Sequence, residues 1–87
     1  MLYFIVVEVV VILFKDRLKS LREDNDLTQE ELAGHLHINR STLSNYENIG
    51  REPNFTLLIK IANHFNVSTD YLLGRTDVQT PYPRRHK

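Results

Sequence analysis

Residues 27–47, LTQEELAGHLHINRSTLSNYE, decide the fold, because two helical patterns are separated there by a short turn. Thr28 and Glu31 have the T-x-x-E spacing of a capping box, which marks the start of a helix. His37 and Ile38 then interrupt the pattern before a second helix begins. The apolar residues that would hold the two helices together are Leu32, Leu36, Ile38, Leu43 and Tyr46. Two helices joined by a tight turn form a helix-turn-helix unit.

The second of these helices, residues 39–48, has an unusual polar surface. Asn39 is a favourable N-cap residue, and the residues after it are short hydrogen-bonding side chains rather than the Glu, Lys and Gln of an ordinary solvated helix. Such side chains can approach base edges closely, and arginine or asparagine can make paired hydrogen bonds to guanine or adenine. Because the second helix of a helix-turn-helix lies in the DNA major groove, the pattern indicates a DNA-reading helix.

Three further helices are predicted around this unit. The first runs from residue 14 or 15 to residue 24, with its apolar residues at the spacing of one helical face. A fourth helix follows a cap at Asn54, and a short fifth helix is capped by Ser68 and stopped by Gly74. The inner residues of the first helix are Phe14, Leu18 and Leu21. The predicted fold is therefore all-α with five helices, formed by residues 14–74.

Residues 1–13, MLYFIVVEVVVIL, form an apolar N-terminal arm in which Glu8 is the one charged residue. The run is shorter than the roughly 20 residues of a membrane-spanning helix, and it lacks the basic start and cleavage site of a secretory signal. The density of valine and isoleucine favours a strand, and the alternative is a backward extension of the first helix. Either structure leaves apolar surface, so a partner chain is the predicted cover.

The charge is balanced overall, with 11 basic and 11 acidic residues in 87, but it is unevenly distributed. Residues 15–74 have a net charge of −2 and residues 75–87 a net charge of +3. The second segment contains two prolines in TPYPRRHK and no apolar periodicity, so a basic flexible tail is predicted. The absence of cysteine excludes disulfides and thiolate metal sites and fits a reducing cytoplasm.

The motifs LTQEELA, STLSNYE, REPN and DYLLG make residues 14–74 resemble the lambda-repressor/Cro-type (XRE-like) helix-turn-helix family of bacterial and phage regulators. The resemblance implies a five-helix all-α domain that binds double-stranded operator DNA, usually as a homodimer on two half-sites. It therefore implies a cytoplasmic transcriptional regulator, and we expect a repressor whose helix three enters the major groove.

The resemblance also implies roles for individual residues. Base-reading positions of the family fall on Arg40, Ser41 and Asn45. The positions that contact or assist at the DNA backbone fall on Gln29, Asn39, Thr42, Ser44, Asn48 and Arg51. A charged pair that joins helix one to helix three in relatives falls on Arg22 and Glu47. For Gln29 a physical reason supports the role, because the N–H groups at a helix start favour an anion.

Three positions depart from the family pattern, which has glycine there. Asp26 and His37 can adopt left-handed backbone at some cost. Ile49 is β-branched and resists a positive φ, so we expect Gly50 to take the turn one residue later. That shift affects the expected pose of Arg51. The net charge of −2 in residues 15–74 is a further departure, because phosphate contacts usually supply much of the affinity for DNA.

Other chemistry is weakly indicated by the sequence. No phosphate-binding glycine loop, pair of catalytic carboxylates or nucleophile–base set occurs, so an enzyme and a cofactor are not expected. His35 and His37 do not share a helix face, and His64 and His86 have no evident partner, so no metal site is expected. The alternative function is a protein-interaction module, for instance an antitoxin that covers a toxin. The apolar arm favours that alternative, and the polar surface of helix three favours DNA.

Overall fold

The computed structural model describes the chain over residues 2–83, and its side chains from Val9 onward, and it contains five α-helices in that part. The helices are α1 (Leu2–Asp24), α2 (Gln29–Leu36), α3 (Arg40–Asn48), α4 (Phe55–Phe65) and α5 (Thr69–Leu72). This described part contains no strand, so the predicted five-helix all-α fold is confirmed. No helix within residues 2–83 has both the length and the apolarity that crossing a membrane would require.

The first helix, α1, differs from the sequence prediction at its start. A strand was favoured for residues 1–13, but the helix runs without a break over Leu2–Asp24, so that preference was wrong and the helical alternative holds. Val10 and Phe14, one helical turn apart, line the same groove, so the helical period continues backward. A helix pairs its own backbone groups, whereas a strand would need a neighbouring strand that residues 2–83 do not provide.

The core lies where α3 packs against α1 and α2, where α4 packs against α2 and α5, and where α5 packs against α1. The predicted inner face of α1, which includes Phe14 and Leu21, is buried in it. The side chains with almost no exposure are Leu18, Leu32, Leu36, Leu43, Ile61, Leu72 and Glu47. Six of these are aliphatic, and burying each stabilises the fold by about 1.5–3 kcal/mol. The seventh is a carboxylate, which requires partners.

The starts of α2 to α5 follow the sequence prediction, with one difference at α3. Thr28 Oγ1 accepts the Glu31 N–H at 3.1 Å, and the Thr28 N–H donates to Glu31 Oε1 at 2.9 Å, so the capping box is present. Asn54 and Ser68 each accept a backbone N–H from the third residue of their helices. Asn39 occupies the N-cap position of α3 with extended backbone, but its side chain makes no capping hydrogen bond. Its amide lies on the exposed outer surface instead.

The turns adopt the backbone that the unusual residues suggested. Asp26 and His37 have positive φ values of 55° and 58°. Ile49 stays in the right-handed region at φ −99°, and Gly50 takes the positive φ of 78°. The turn after α3 therefore occurs one residue late, as predicted. Gly50 also permits close packing, because a Cβ there would lie 2.9 Å from the Val11 side chain of α1.

Part of the segment predicted to be a flexible tail, residues 75–83, makes contacts with the domain. The Arg17 guanidinium donates to the carbonyl of Tyr71 and, at 2.6 Å, to that of Thr76, and it lies 4.2 Å from the centre of the Tyr71 ring. The Ser68 N–H donates to the Gln79 carbonyl at 2.9 Å. These contacts attach the segment to α1 and α5. The basic residues 84–87 lie outside the described part of the chain.

Candidate nucleic-acid interface

The α2–turn–α3 unit presents one side of α3 outward. Leu32 and Leu36 on α2 and Leu43 on α3 are buried between the helices. In the turn, the Ile38 N–H donates to the Ala33 carbonyl at 3.0 Å, which fixes how α3 leaves α2. The predicted DNA-contacting residues from α3 are exposed at Asn39, Arg40, Ser41 and Asn48 and half-buried at Thr42, Ser44 and Asn45.

The loop after α3 is tied to the end of that helix. The Asn45 carbonyl accepts the N–H of Gly50 at 3.1 Å and the N–H of Arg51 at 3.3 Å. The Asn48 side-chain amide donates to Ser44 Oγ at 2.8 Å. The backbone of Arg51 therefore has a defined position relative to α3, while its side chain is exposed on the same loop.

An ion pair joins α1 to α3 beneath this surface. Arg22 Nε donates to Glu47 Oε2 at 2.8 Å, and Arg22 Nη2 donates to Glu47 Oε1 at 3.1 Å. The two residues of the predicted pair therefore meet in a two-pronged geometry, which is strong and directional. Glu47 is 1% exposed. The hydrogen bond to Glu47 is the main cause that raises the pKa of Arg22 above its ordinary value. Burial acts in the opposite direction and is the smaller effect.

Gln29 connects this ion pair to the outer surface. Its Nε2 donates to Glu47 Oε1 at 3.1 Å, and its Oε1 accepts a long, 3.5 Å hydrogen bond from Arg40 Nη1. Arg22, Glu47, Gln29 and Arg40 thus form one chain of contacts from α1 to the start of α3. Sequence reasoning did not find the Gln29 link, because the residues are 18 apart and on different helices.

The exposed charge around α3 differs in sign from the net charge of −2 of residues 15–74. Between residues 37 and 52 the exposed charged side chains are Arg40, Arg51 and Glu52, and Glu47 is buried against a cation. The exposed part of this segment therefore has an excess of one positive charge. One excess positive charge attracts an anionic partner only weakly.

A pair of histidines, missed by the sequence reasoning, lies away from α3. The rings of His35 on α2 and His64 on α4 have centroids 5.1 Å apart, and His64 also packs edge-on against Phe65. Burial, followed by the charge of His35, lowers the pKa of His64 below its ordinary value. No sequence signal pairs two histidines on separate helices. Residues 2–83 contain no group of three metal-ligating side chains.

Comparison with known proteins agrees with this architecture. A family model described as "Helix-turn-helix" matches residues 18–72, which is more than half of the chain. The chain is 48% identical over 62 residues to the HTH-type transcriptional regulator ImmR of Bacillus subtilis, covering 71% of this chain and 49% of the relative. It is 43% identical over 61 residues to the uncharacterized HTH-type transcriptional regulator YqaE of the same organism, covering 70% and 53%.

A relative with another described role also matches. The chain is 39% identical over 64 residues to the antitoxin PezA of Streptococcus pneumoniae, covering 74% of this chain and 40% of the relative. The chain spans about half the length of these curated relatives. The matched region includes the α2–α3 unit and most of the buried core, and it confirms the resemblance found in the motifs. The chain belongs to the XRE-type helix-turn-helix family.

Proposed function

We propose that this chain is a sequence-specific DNA-binding transcriptional regulator, and that it acts as a repressor in the cytoplasm. The observation that carries the proposal is the outer surface of α3, where exposed and half-buried short polar residues surround Arg40. The buried side of the same helix fixes its orientation through Leu43 and Tyr46. A helix held in this way can enter the major groove with its N-terminal residues leading.

The proposed roles come from the family resemblance, and the positions of the side chains support them. Arg40, Ser41 and Asn45 read base edges, because they lie at the start and on the outer side of α3. Residues that contact or assist at the sugar–phosphate backbone are Gln29, Asn39, Thr42, Ser44, Asn48 and Arg51. The start of α2 supports this role for Gln29, because unpaired N–H groups and the helix dipole favour a phosphate there. The hydrogen bond between Ser44 and Asn48 supports a shared contact for those two.

Homodimer formation is the second part of the proposal. Residues 2–13 are the apolar first half of α1, and Val9 and Ile12 in that half are exposed large apolar side chains. Packing against the same helix of a second chain would cover them. Since the arm is helical, a helix pair replaces the strand pair as the expected contact. A dimer would place two copies of α3 roughly 34 Å apart on successive major grooves.

A second candidate function is protein interaction, for instance as an antitoxin. The similarity to PezA favours it, as does the net charge of zero. The DNA-binding candidate is tested by selecting bound sequences from random duplex DNA. The most enriched duplex and a scrambled duplex are then titrated with the protein. Enrichment of one motif in two half-sites supports a dimeric regulator. If no sequence is enriched and both duplexes bind alike, the regulator proposal fails and the protein-interaction candidate gains support.

The selection has a matched control in two arginine variants. Arg40→Ala should lose the preference for the selected motif, because Arg40 lies on the outer side of α3. Arg75→Ala removes an equally charged residue whose side chain is 72% exposed near α5. That variant should enrich the same motif as the unchanged protein. If both variants lose the motif to the same degree, net charge rather than α3 determines DNA selection.

A further inference from the structure

An apolar groove lies at one side of the domain, between the first half of α1 and the start of α4. Its volume is about 260 Å³. The residues that line it are Val10, Phe14, Arg51, Glu52, Pro53, Phe55, Leu58 and Leu73. Six of these eight side chains are apolar, and the two charged ones come from the loop after α3. The DNA-contact roles proposed above do not use the apolar part of this groove.

Phe55 stands at the edge of the groove and is 84% exposed. It is the first residue of α4, so its ring is held on a rigid element. Burying a phenylalanine side chain that is exposed to this degree contributes about 1.5–3 kcal/mol of favourable free energy. The groove beside it also contains unfilled apolar space. A single patch therefore contains both a protruding apolar side chain and a concave apolar surface.

We infer that this groove receives Phe55 from a second copy of this chain, in a two-fold contact that rests on the homodimer proposed above and gives it an interface other than the Val9 and Ile12 surface. A two-fold interface uses the same patch on both subunits, so each patch must contain a protrusion and a matching concavity. Phe55 is the protrusion and the groove beside it is the concavity. Each subunit then buries one ring in the other, and both rings lie near the symmetry axis.

The charges at the end of the groove fit the same partner. Arg51 and Glu52 are neighbours of opposite charge, and both are exposed. In a two-fold contact, the Arg51 of each subunit can approach the Glu52 of the other, so the dimer would contain two such ion pairs. A strongly charged peptide of either sign would meet one unfavourable charge there. Charge complementarity therefore favours a second copy of this chain.

The position of the groove relates the contact to DNA binding. Arg51 belongs to the loop that directly follows α3, and its N–H is bonded to the Asn45 carbonyl of that helix. A second chain seated in the groove therefore carries its own α3 at a fixed separation from the first. The contact therefore holds the two subunits together and also determines the distance between the two α3 helices, and so the spacing of two half-sites.

The test measures the mass of purified full-length variants in solution by light scattering, without DNA, across the micromolar range. Phe55→Ala removes the protruding ring, and Val10→Trp fills the groove from the other side. Because two Phe55 rings are buried per dimer, Phe55→Ala should weaken dimerisation about a hundredfold or more. Val78→Ala, at a 61% exposed position outside the groove, is the matched control and should leave the dimer unchanged. Circular dichroism checks that each variant keeps its helices.

The outcomes separate this inference from the proposed function. If the unchanged protein is monomeric, or if folded Phe55→Ala and Val10→Trp proteins remain as dimeric as Val78→Ala, the groove is not the interface. Sequence-selective DNA binding could then still hold and would be seen in the titrations. If both variants become monomers and yet the unchanged dimer binds no DNA selectively, the groove assignment stands and the DNA-binding proposal fails.

Discussion

Replacing Glu47 by glutamine probes the ion pair that joins α1 to α3. The Glu47 carboxylate is 1% exposed and accepts two N–H groups from Arg22 and one from Gln29. Glutamine has nearly the same shape, but it is neutral and replaces one acceptor oxygen by an NH₂ group. The substitution therefore leaves the packing in place, removes the charge and turns at least one hydrogen-bonded contact into a clash between donors.

The size of the effect follows from the burial of both partners. Removing one member of a buried pair costs about 3–5 kcal/mol, because the other charge is left without compensation. The Arg22 side chain is 12% exposed and also donates to the Leu27 carbonyl at 2.7 Å, so some of its solvation and bonding remains. We therefore expect Glu47→Gln to lower the free energy of unfolding by about 2–4 kcal/mol. In a domain of this size the melting temperature should fall by roughly 10–25 °C.

Thermal and urea unfolding followed by circular dichroism measure this change. Glu23→Gln makes the same chemical substitution at an exposed position of α1, and it should alter the stability by no more than about 0.5 kcal/mol. Combining Arg22→Met with Glu47→Gln should lose less stability than the two single losses added together. Equal effects of the two glutamine variants, or full additivity in the double variant, would refute the reasoning from burial and pairing.

Three other predictions concern the surface of α3, the histidine on α4 and two glycines. In DNA titrations at several salt concentrations, Arg40→Ala should cost about 1–3 kcal/mol and relax the preference at one base pair, whereas Arg51→Ala should weaken all sequences alike and reduce the salt slope by about one. Equal losses on selected and random DNA for Arg40→Ala would contradict its base-reading role. Because burial lowers the pKa of His64, its neutral form is favoured in the fold, so its contribution is complete above about pH 6.5 and decreases as the pH falls below that value. His64→Gln should therefore flatten the pH dependence of the urea midpoint between about pH 5 and 7. Gly74→Ala should destabilise by about 1–3 kcal/mol, because Gly74 has a φ of 76° and a Cβ there would overlap a side chain of α1. Gly34→Ala, on an open helix surface, should stabilise by about 0.5–1 kcal/mol in the same melts.

Local signals in the sequence were sufficient for most of the fold. The capping box at Thr28, the caps at Asn54 and Ser68 and the late turn at Gly50 each depend on residues that are close in sequence. The start of α1 was the exception. Its β-branched residues have a strand preference of their own, and the packing of Val11 and Leu13 against distant glycines, which accompanies the helix, cannot be seen in a local pattern.

The site was predictable to a smaller extent, because its contacts join distant parts of the chain. The pairing of Arg22 with Glu47 came from the family resemblance, and spacing alone would not have suggested it. The bond from Gln29 to Glu47 and the attachment of Arg17 to the segment after α5 link residues 18 and more than 50 positions apart. Such contacts depend on how whole helices pack. The base-reading roles of Arg40, Ser41 and Asn45 stay predictions until DNA binding is measured.

The unbroken course of α1 has a mechanical consequence. Its 23 residues form a rod about 34 Å long. One end lies in the apolar arm, and the other holds Arg22 against Glu47 of α3. In a subunit held at the arm, tilting the rod by about 5° displaces the far end by about 3 Å, close to the rise of one base pair. In the proposed dimer the helix would act as a lever arm, and its stiffness would limit how far the spacing between two half-sites can vary before one α3 leaves its DNA groove.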